Sequence, residues 1–255
     1  MIEIKDNSLF IDGLSAKELA KKFGTPLYVY SYDELKKRIN DLKENFLGVY
    51  ERTRVAYAAK AFSCKAMFQI MKQENFCIDV VSGGELFTAM CIDFPADNIE
   101  FNGNNKSEEE IRMALEYGIG RFIVDGYNEL KLLQKLCKET GKKATILFRV
   151  TPGVASDSHD YIVTGRKDSK FGFPIDEDIL VPVVEEALES EGIELLGFHF
   201  HVGSQLLNNE SHLQAADIVM GFIKNLKEKI GFETKVAKWW WVLIRITNTK
   251  SSTYV

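Results

Sequence analysis

The feature that most constrains this chain is an alternation. Short apolar, β-branched runs recur along it, and each is followed by a longer stretch with helical spacing and charges. The runs are VAYAA from Val55, IDVVS from Ile78, NIEFN from Asn98, RFIVD from Arg121, ATILFRV from Ala144 and LLGFHFHV from Leu195. Read as strands, they begin about 20 to 25 residues apart until a longer interval after Ala144, which is the spacing of parallel β-α units with one insertion. The predicted class is α/β, and a barrel suits the spacing better than an open sheet.

The helical stretches carry their own punctuation. In KSEEEIRMALEYG, Ser107 can cap the first turn, Ile111, Leu115 and Tyr117 face inward, and Gly118 can end the helix. NELKLLQKLCKETG, ending at Gly141, has the same grammar. The long interval holds TPGVASDSHDYIVTGRKDSKFGFPID before helical spacing resumes with ILVPVVEEALES. Extended loops at the C-terminal ends of barrel strands are where binding chemistry concentrates.

With 32 basic and 37 acidic residues and a net charge of -5, the chain has no basic block dense enough to attract a nucleic-acid backbone. No signal-like leader and no run of eighteen uncharged apolar residues is present, so neither a membrane nor an exported product is expected, and the reading is cytoplasmic. Cys64, Cys77, Cys91 and Cys137 lie 13, 14 and 46 residues apart, a spacing that makes no zinc cluster; no metal is expected, and reduced, packed thiols are.

Lys60 ends VAYAAK and would project from the mouth of the first barrel strand. A lysine held against apolar neighbours loses solvation of its charged form, which frees the amine to attack an aldehyde. Position alone equally allows a solvated lysine after a strand.

Six motifs, in order, then carry a resemblance: TPLYVYSYDEL at Thr25, YAAKAF at Tyr57, DVVSGGEL at Asp79, NGNNKSEEE at Asn102, the TG..DSKFG pattern at Thr164 and GFHFHVGSQ at Gly197. Together they resemble the diaminopimelate decarboxylases, pyridoxal-phosphate enzymes of the alanine-racemase-like barrel class, from about Thr25 to about Glu233. The resemblance implies an incomplete (β/α)8 TIM-type barrel, pyridoxal 5'-phosphate as cofactor and an amino-acid substrate, meso-2,6-diaminopimelate, decarboxylated to L-lysine. It implies Lys60 as the residue that carries the cofactor covalently and His201 as the imidazole stacked on its ring. Ser204 and Gly203 fall near the phosphate, Asp79 and Glu85 are acidic residues near the lysine and cofactor, and Arg149 is a basic residue near the ring. Gly83 and Gly84 shape a turn. His199 is expected to point away from His201, packed between barrel and helices, His212 to be solvated or capping, and His159 and Asp157 receive no role. Full-length members of the family resemble homodimers.

The resemblance breaks after Glu233, at TKVAKWWWVLIRITNTKSSTYV. Trp239, Trp240 and Trp241 stand where the family has consecutive glycines whose amides cradle the cofactor phosphate, and tryptophan cannot offer that close approach. Repeated GGT glycine codons read one base off give TGG, so a reading-frame change is the expected origin of the tail. The expected organisation is residues 1–24 as a strand segment that in the family joins a C-terminal β-domain, 25–235 as a partial barrel that binds the cofactor, and 236–255 as a divergent tail. An unclosed barrel predicts weak or absent activity for this chain alone. Two alternatives stand beside this: a related decarboxylase or racemase on the same barrel, and a catalytically dead binding fragment.

Overall fold

The computed structural model describes residues 2–49, 52–154, 171–203 and 210–239. The chain divides into two units, 1–55 and 56–255. The smaller unit contains a three-stranded antiparallel sheet of β1 (Ile2–Lys5), β2 (Ser8–Ile11) and β3 (Leu14–Ser15), followed by α1 (Ala16–Phe23) and α2 (Tyr32–Leu42). Ser31 caps α2 by accepting the Glu34 amide at 3.0 Å.

The larger unit is the β/α alternation made real. Its strands and helices follow in chain order: β4 (Ala56–Ala58), α3 (Lys65–Gln73), β5 (Cys77–Val80), α4 (Gly83–Met90), β6 (Ile99–Phe101), α5 (Glu108–Tyr117), β7 (Arg121–Val124) and α6 (Tyr127–Thr140). They continue with β8 (Ala144–Thr151), β9 (Phe173–Pro174), α7 (Glu177–Glu189), β10 (Ile193–Phe200), α8 (Glu210–Ile230) and β11 (Val236–Trp239). The main sheet runs β4-β5-β6-β7-β8-β10-β11, with β9 added to β8, and every pairing within it is parallel. All six expected strands are present in the expected order. Sequential parallel order with a helix after nearly every strand is the geometry of an incomplete TIM-type barrel.

Burial explains why the strands read as apolar runs. In β5 all four residues are buried, as are the last six of β8, because a parallel sheet is covered on both faces. On the outer face, Phe198 of β10 meets Phe222 of α8 at 5.4 Å between ring centroids, and Phe101 and Phe122, paired in register on β6 and β7, stack at 6.4 Å.

The helix termini match their sequence signals. Ser107 and Glu110 form a capping box at the start of α5, and Gly118 ends it in the left-handed region at φ 74°. Gly141 does the same for α6. Of the inward-facing trio, Ile111 and Leu115 are buried, while Tyr117 is partly buried and donates its hydroxyl to the Phe94 carbonyl at 2.7 Å.

The strand β11 begins at Val236, inside the segment where the resemblance breaks. It docks on β10 because Gly197 has no side chain. A Cβ there would stand 2.1 Å from the Val236 carbonyl oxygen, and φ is +149°. The register of β10 on β8 also shifts between Leu195 and Gly197, the mark of a bulge. Gly197→Ala is therefore expected to cost more than about 1 kcal/mol and to release β11. Urea unfolding and protection of the residue 236–239 amides from hydrogen exchange would measure both effects; unchanged stability and protection would contradict this packing.

Candidate active site

Polar side chains are concentrated on one face of the sheet, and strand register says which. Asp79 on β5 pairs with Glu100 on β6, which pairs with Arg121 on β7. Arg149 on β8 pairs with His199 on β10, which pairs with Lys238 on β11. Lys238 then reaches across the concave side to ion-pair with both Asp79 and Glu100, so the last strand touches the second and third. This contact shows that the sheet is rolled, with these residues inside.

Lys60 lies on a 3-10 turn, Ala59–Ala61, directly after β4. Ala58, the residue before that turn, is paired in register with Asp79. Lys60 is exposed, as a solvated lysine after a strand would be, and is not enclosed by apolar neighbours. Its electrostatic environment comes instead from carboxylates. The Glu85 carboxyl is pushed up mainly by burial, is drawn down by the hydrogen bond from the Val81 amide, and feels both the repulsion of Asp79 and the attraction of Lys60. Glu85 thus interacts with both Lys60 and Asp79 beyond the C-terminal ends of β4 and β5.

Glu85 also has a structural duty. Ser82 caps α4, and Glu85, three residues on, accepts the Val81 amide at 2.7 Å, which fixes the turn out of β5. Glu129 repeats this on α6 by accepting the Asp125 amide at 2.9 Å. Gly83, expected to shape a turn, leaves room for Glu110, whose Cγ would lie 3.0 Å from a Cβ at that position.

Asp79 is 2% exposed. Asn102 donates to its Oδ2 at 3.4 Å, whereas Oδ1 has no hydrogen-bond partner among the described residues. Burial raises its pKa, and the nearby Lys238 ammonium opposes that rise.

Arg149 is buried and held in place. Its guanidinium donates to Asp125 Oδ1 at 2.8 Å and lies 4.5 Å from the centroid of the Phe171 ring. Asp125 Oδ2 in turn accepts the Gly172 amide at 3.1 Å. Next to this pair, Lys106 is buried against Glu129 at 2.7 Å and donates to the Gly103 and Ile123 carbonyls. His201 and Gly203, both buried, follow the end of β10. Ser204, His159, Asp157, Trp240 and Trp241 lie outside the described residues.

Two histidine expectations are corrected. His199 does not pack between barrel and helices. Residues two apart on a strand share a face, so His199 lies on the side of His201, in register with Arg149 and Lys238. Its imidazole is fully buried, and burial first, then the charges of Lys238, Arg149, His201 and Lys106, hold its pKa well below the ordinary histidine value. His212 is neither solvated nor a cap. It is buried on α8, where its Nδ1 accepts from Trp239 Nε1 at 3.3 Å.

Trp239 itself stacks on Phe200 at 5.4 Å, on the helix side of the sheet. Of the three tryptophans, this one therefore does not fill the interior. Sequence reasoning missed Glu100, Arg121, Asp125, Lys106 and Lys238 as interior charges. For all but Lys106, which lies in the polar loop between β6 and α5, the signal was a single charge within or directly after an otherwise apolar strand.

The His199 environment fixes a sign. Its folded-state pKa is depressed, so below about pH 6.5 the unfolded chain binds a proton that the folded chain refuses. Stability present at pH 8 is expected to fall as pH drops through about 6.5 toward 5, by up to about 1.4 kcal/mol per pH unit for one such group. Urea midpoints measured across that range should decline, and His199→Gln should flatten the decline; an unchanged slope in the variant would contradict the burial of a neutral imidazole.

Comparison with known proteins agrees with this frame. A family model described as "Pyridoxal-dependent decarboxylase, pyridoxal binding domain" matches residues 32–237. The diaminopimelate decarboxylase of Bacillus subtilis (strain 168) is 46% identical over 228 residues, 89% of this chain and 52% of that protein. That of Methanocaldococcus jannaschii is 41% identical over 232 residues, 89% of this chain and 53% of that protein. The crystal structure of the M. jannaschii enzyme in co-complex with L-lysine superposes with a TM-score of 0.86 at 40% identity, covering 94% of this chain and 56% of that one. The chain spans about half the length of the curated relatives it matches. On the extent of the family match and the agreement in fold, the chain belongs to the pyridoxal-dependent decarboxylases, with residues 32–237 matching their pyridoxal binding domain.

Proposed function

We propose that this chain is the cofactor-binding half of a diaminopimelate decarboxylase, that Lys60 bears pyridoxal 5'-phosphate, and that the whole protein converts meso-2,6-diaminopimelate to L-lysine. The observation that carries the proposal is the convergence of Lys60, Asp79, Glu85, Arg149 and His201 on the interior and C-terminal rim of one parallel barrel sheet. Ligands of parallel α/β barrels bind at that rim.

The residues fit the aldehyde and ring end of such a cofactor. An exposed amine two residues past the strand position paired with Asp79 accompanies that buried carboxylate, one of whose oxygens has no hydrogen-bond partner among the described residues, and a buried imidazole and a clamped guanidinium lie on the same side of the sheet. At the phosphate end, the buried backbone at Gly203 is the part within the described residues.

When bound, the cofactor supplies an electron sink for the charge left on Cα as carbon dioxide departs. The chain's own residues do the rest. Lys60 offers a nucleophilic amine, and its exposure lets a substrate amine displace it. Glu85, with its raised pKa and its position in the field of Lys60, can hold or return that amine's proton. Asp125 and Phe171 fix the Arg149 guanidinium so that it cannot swing away. His201 presents an aromatic face from the end of β10, and Ser204, beyond the described residues, is proposed for the phosphate.

The same chain, taken alone, is proposed to turn over its substrate weakly or not at all. Lys238 occupies Asp79, a carboxylate that this reading assigns to the cofactor side, and tryptophans replace the glycines expected to cradle the phosphate. A homodimer of the whole protein, with an amino-acid substrate, completes the proposal. A related enzyme of the same barrel class remains the competing substrate assignment.

Incubation with pyridoxal 5'-phosphate, borohydride reduction and peptide mass mapping is expected to label Lys60. Lys60→Ala should lose at least about nine-tenths of the label, and CO2 release from diaminopimelate by the unmodified chain should stay near the buffer background. A label on another lysine, or one that survives the substitution, would sink the assignment of Lys60.

A further inference from the structure

Two carboxylates inside one barrel need two cations. Asp79 is 2% exposed and Glu100 5%, and they are neighbours in register on β5 and β6. Arg121 supplies one cation, 3.2 Å from Glu100 Oε1. It has no ion pair with Asp79 among the described residues, whose remaining polar contact besides Lys238 is the Asn102 amide at 3.4 Å. Without a second positive charge, one buried carboxylate would be left uncompensated, which is among the more destabilising arrangements in a protein interior. Lys238 provides that charge from 159 positions along the chain, ion-pairing with both carboxylates at once. A further observation is Asp79 Oδ1, buried and without a hydrogen-bond partner among the described residues, so the site retains acceptor capacity.

We propose that Asp79 and Glu100 form a primary-ammonium site in the barrel interior, and that Lys238 is its built-in occupant, tying the last strand to the second and third. The ligand class follows from the occupant. An ammonium on an unbranched alkyl stem has three donors in a compact head, enough to meet two carboxylates, and a stem that packs along the apolar strand faces. A quaternary ammonium has the charge without the donors, and an alcohol has the stem without the charge. Lys238 lies within the unit 56–255, so the latch acts on the sheet that carries Lys60, yet its existence does not depend on cofactor binding.

The test is chemical rescue in the full 255-residue chain. Lys238→Ala removes the atoms that n-propylammonium replaces. The variant should melt below the parent, and n-propylammonium chloride, several-fold above its dissociation constant, should raise the variant's melting temperature by about 2–4 °C. The parent should respond by less than half as much, and 1-propanol, tetramethylammonium chloride and sodium chloride should not reproduce the shift. Equal shifts in parent and variant, or equal shifts with propanol or sodium chloride, would overturn the proposal. Should Lys238→Ala fail to fold, Lys238→Met keeps the stem without the charge. It should melt below the parent, and adding Asp79→Asn should recover part of that loss; a Lys238→Met chain as stable as the parent would equally overturn it.

Discussion

The placement of charge inside a parallel sheet governs this structure. Parallel strands covered on both faces are normally apolar throughout, because water cannot reach their side chains. Here β5, β6, β7, β8, β10 and β11 each send one ionisable group inward, and strand register brings these groups into rows. Such groups are tolerated only when paired, and each carboxylate of the set has a cation: Asp79 and Glu100 with Lys238, Glu100 with Arg121, Asp125 with Arg149. The pairing therefore dictates curvature, since Lys238 can meet Asp79 only if the sheet rolls until its two ends approach.

The same constraint organises the rim. The strands β4 and β5 end beside each other, which places Lys60 and Asp79 together, and the helix caps of α4 and α6 use Glu85 and Glu129 to fix the turns that follow β5 and β7. Glu85 thereby does two things with one carboxylate: it closes a turn through Val81 and lies in the field of Lys60. The carboxylate that lies in the field of Lys60 is therefore held by backbone geometry at the start of α4.

Much of this was legible in the sequence because the signals were local. Six strands followed from apolar runs, and α5 and α6 from a serine or polar start and a glycine stop, where only glycine adopts the left-handed turn without strain. The candidate residues were legible through motifs near strand ends: Lys60 and His201 fall just beyond β4 and β10, and Arg149 lies two residues before the end of β8. What the sequence hid was pairing across distance. Nothing near Lys238 announces that its partners are Asp79 and Glu100, since that contact exists only once seven strands are in order. The side of the sheet taken by His199 was readable from strand alternation, which sets it with His201. Trp239 stood out in the sequence as a substitute for glycine, but its contacts with Phe200 and His212 make it a packing residue on the helix side.

The central claim is that a rolled parallel sheet sets one amine, on Lys60, at its mouth for an aldehyde, with Asp79, Arg149 and His201 on the same side. A crystal structure of the chain grown with pyridoxal 5'-phosphate tests it most directly. The account predicts electron density continuous from the Lys60 Nζ atom into the ring, with His201 against the ring face and Arg149 still paired to Asp125. Density joined to a different side chain, or a ring lying on the helix side of the sheet, would contradict it.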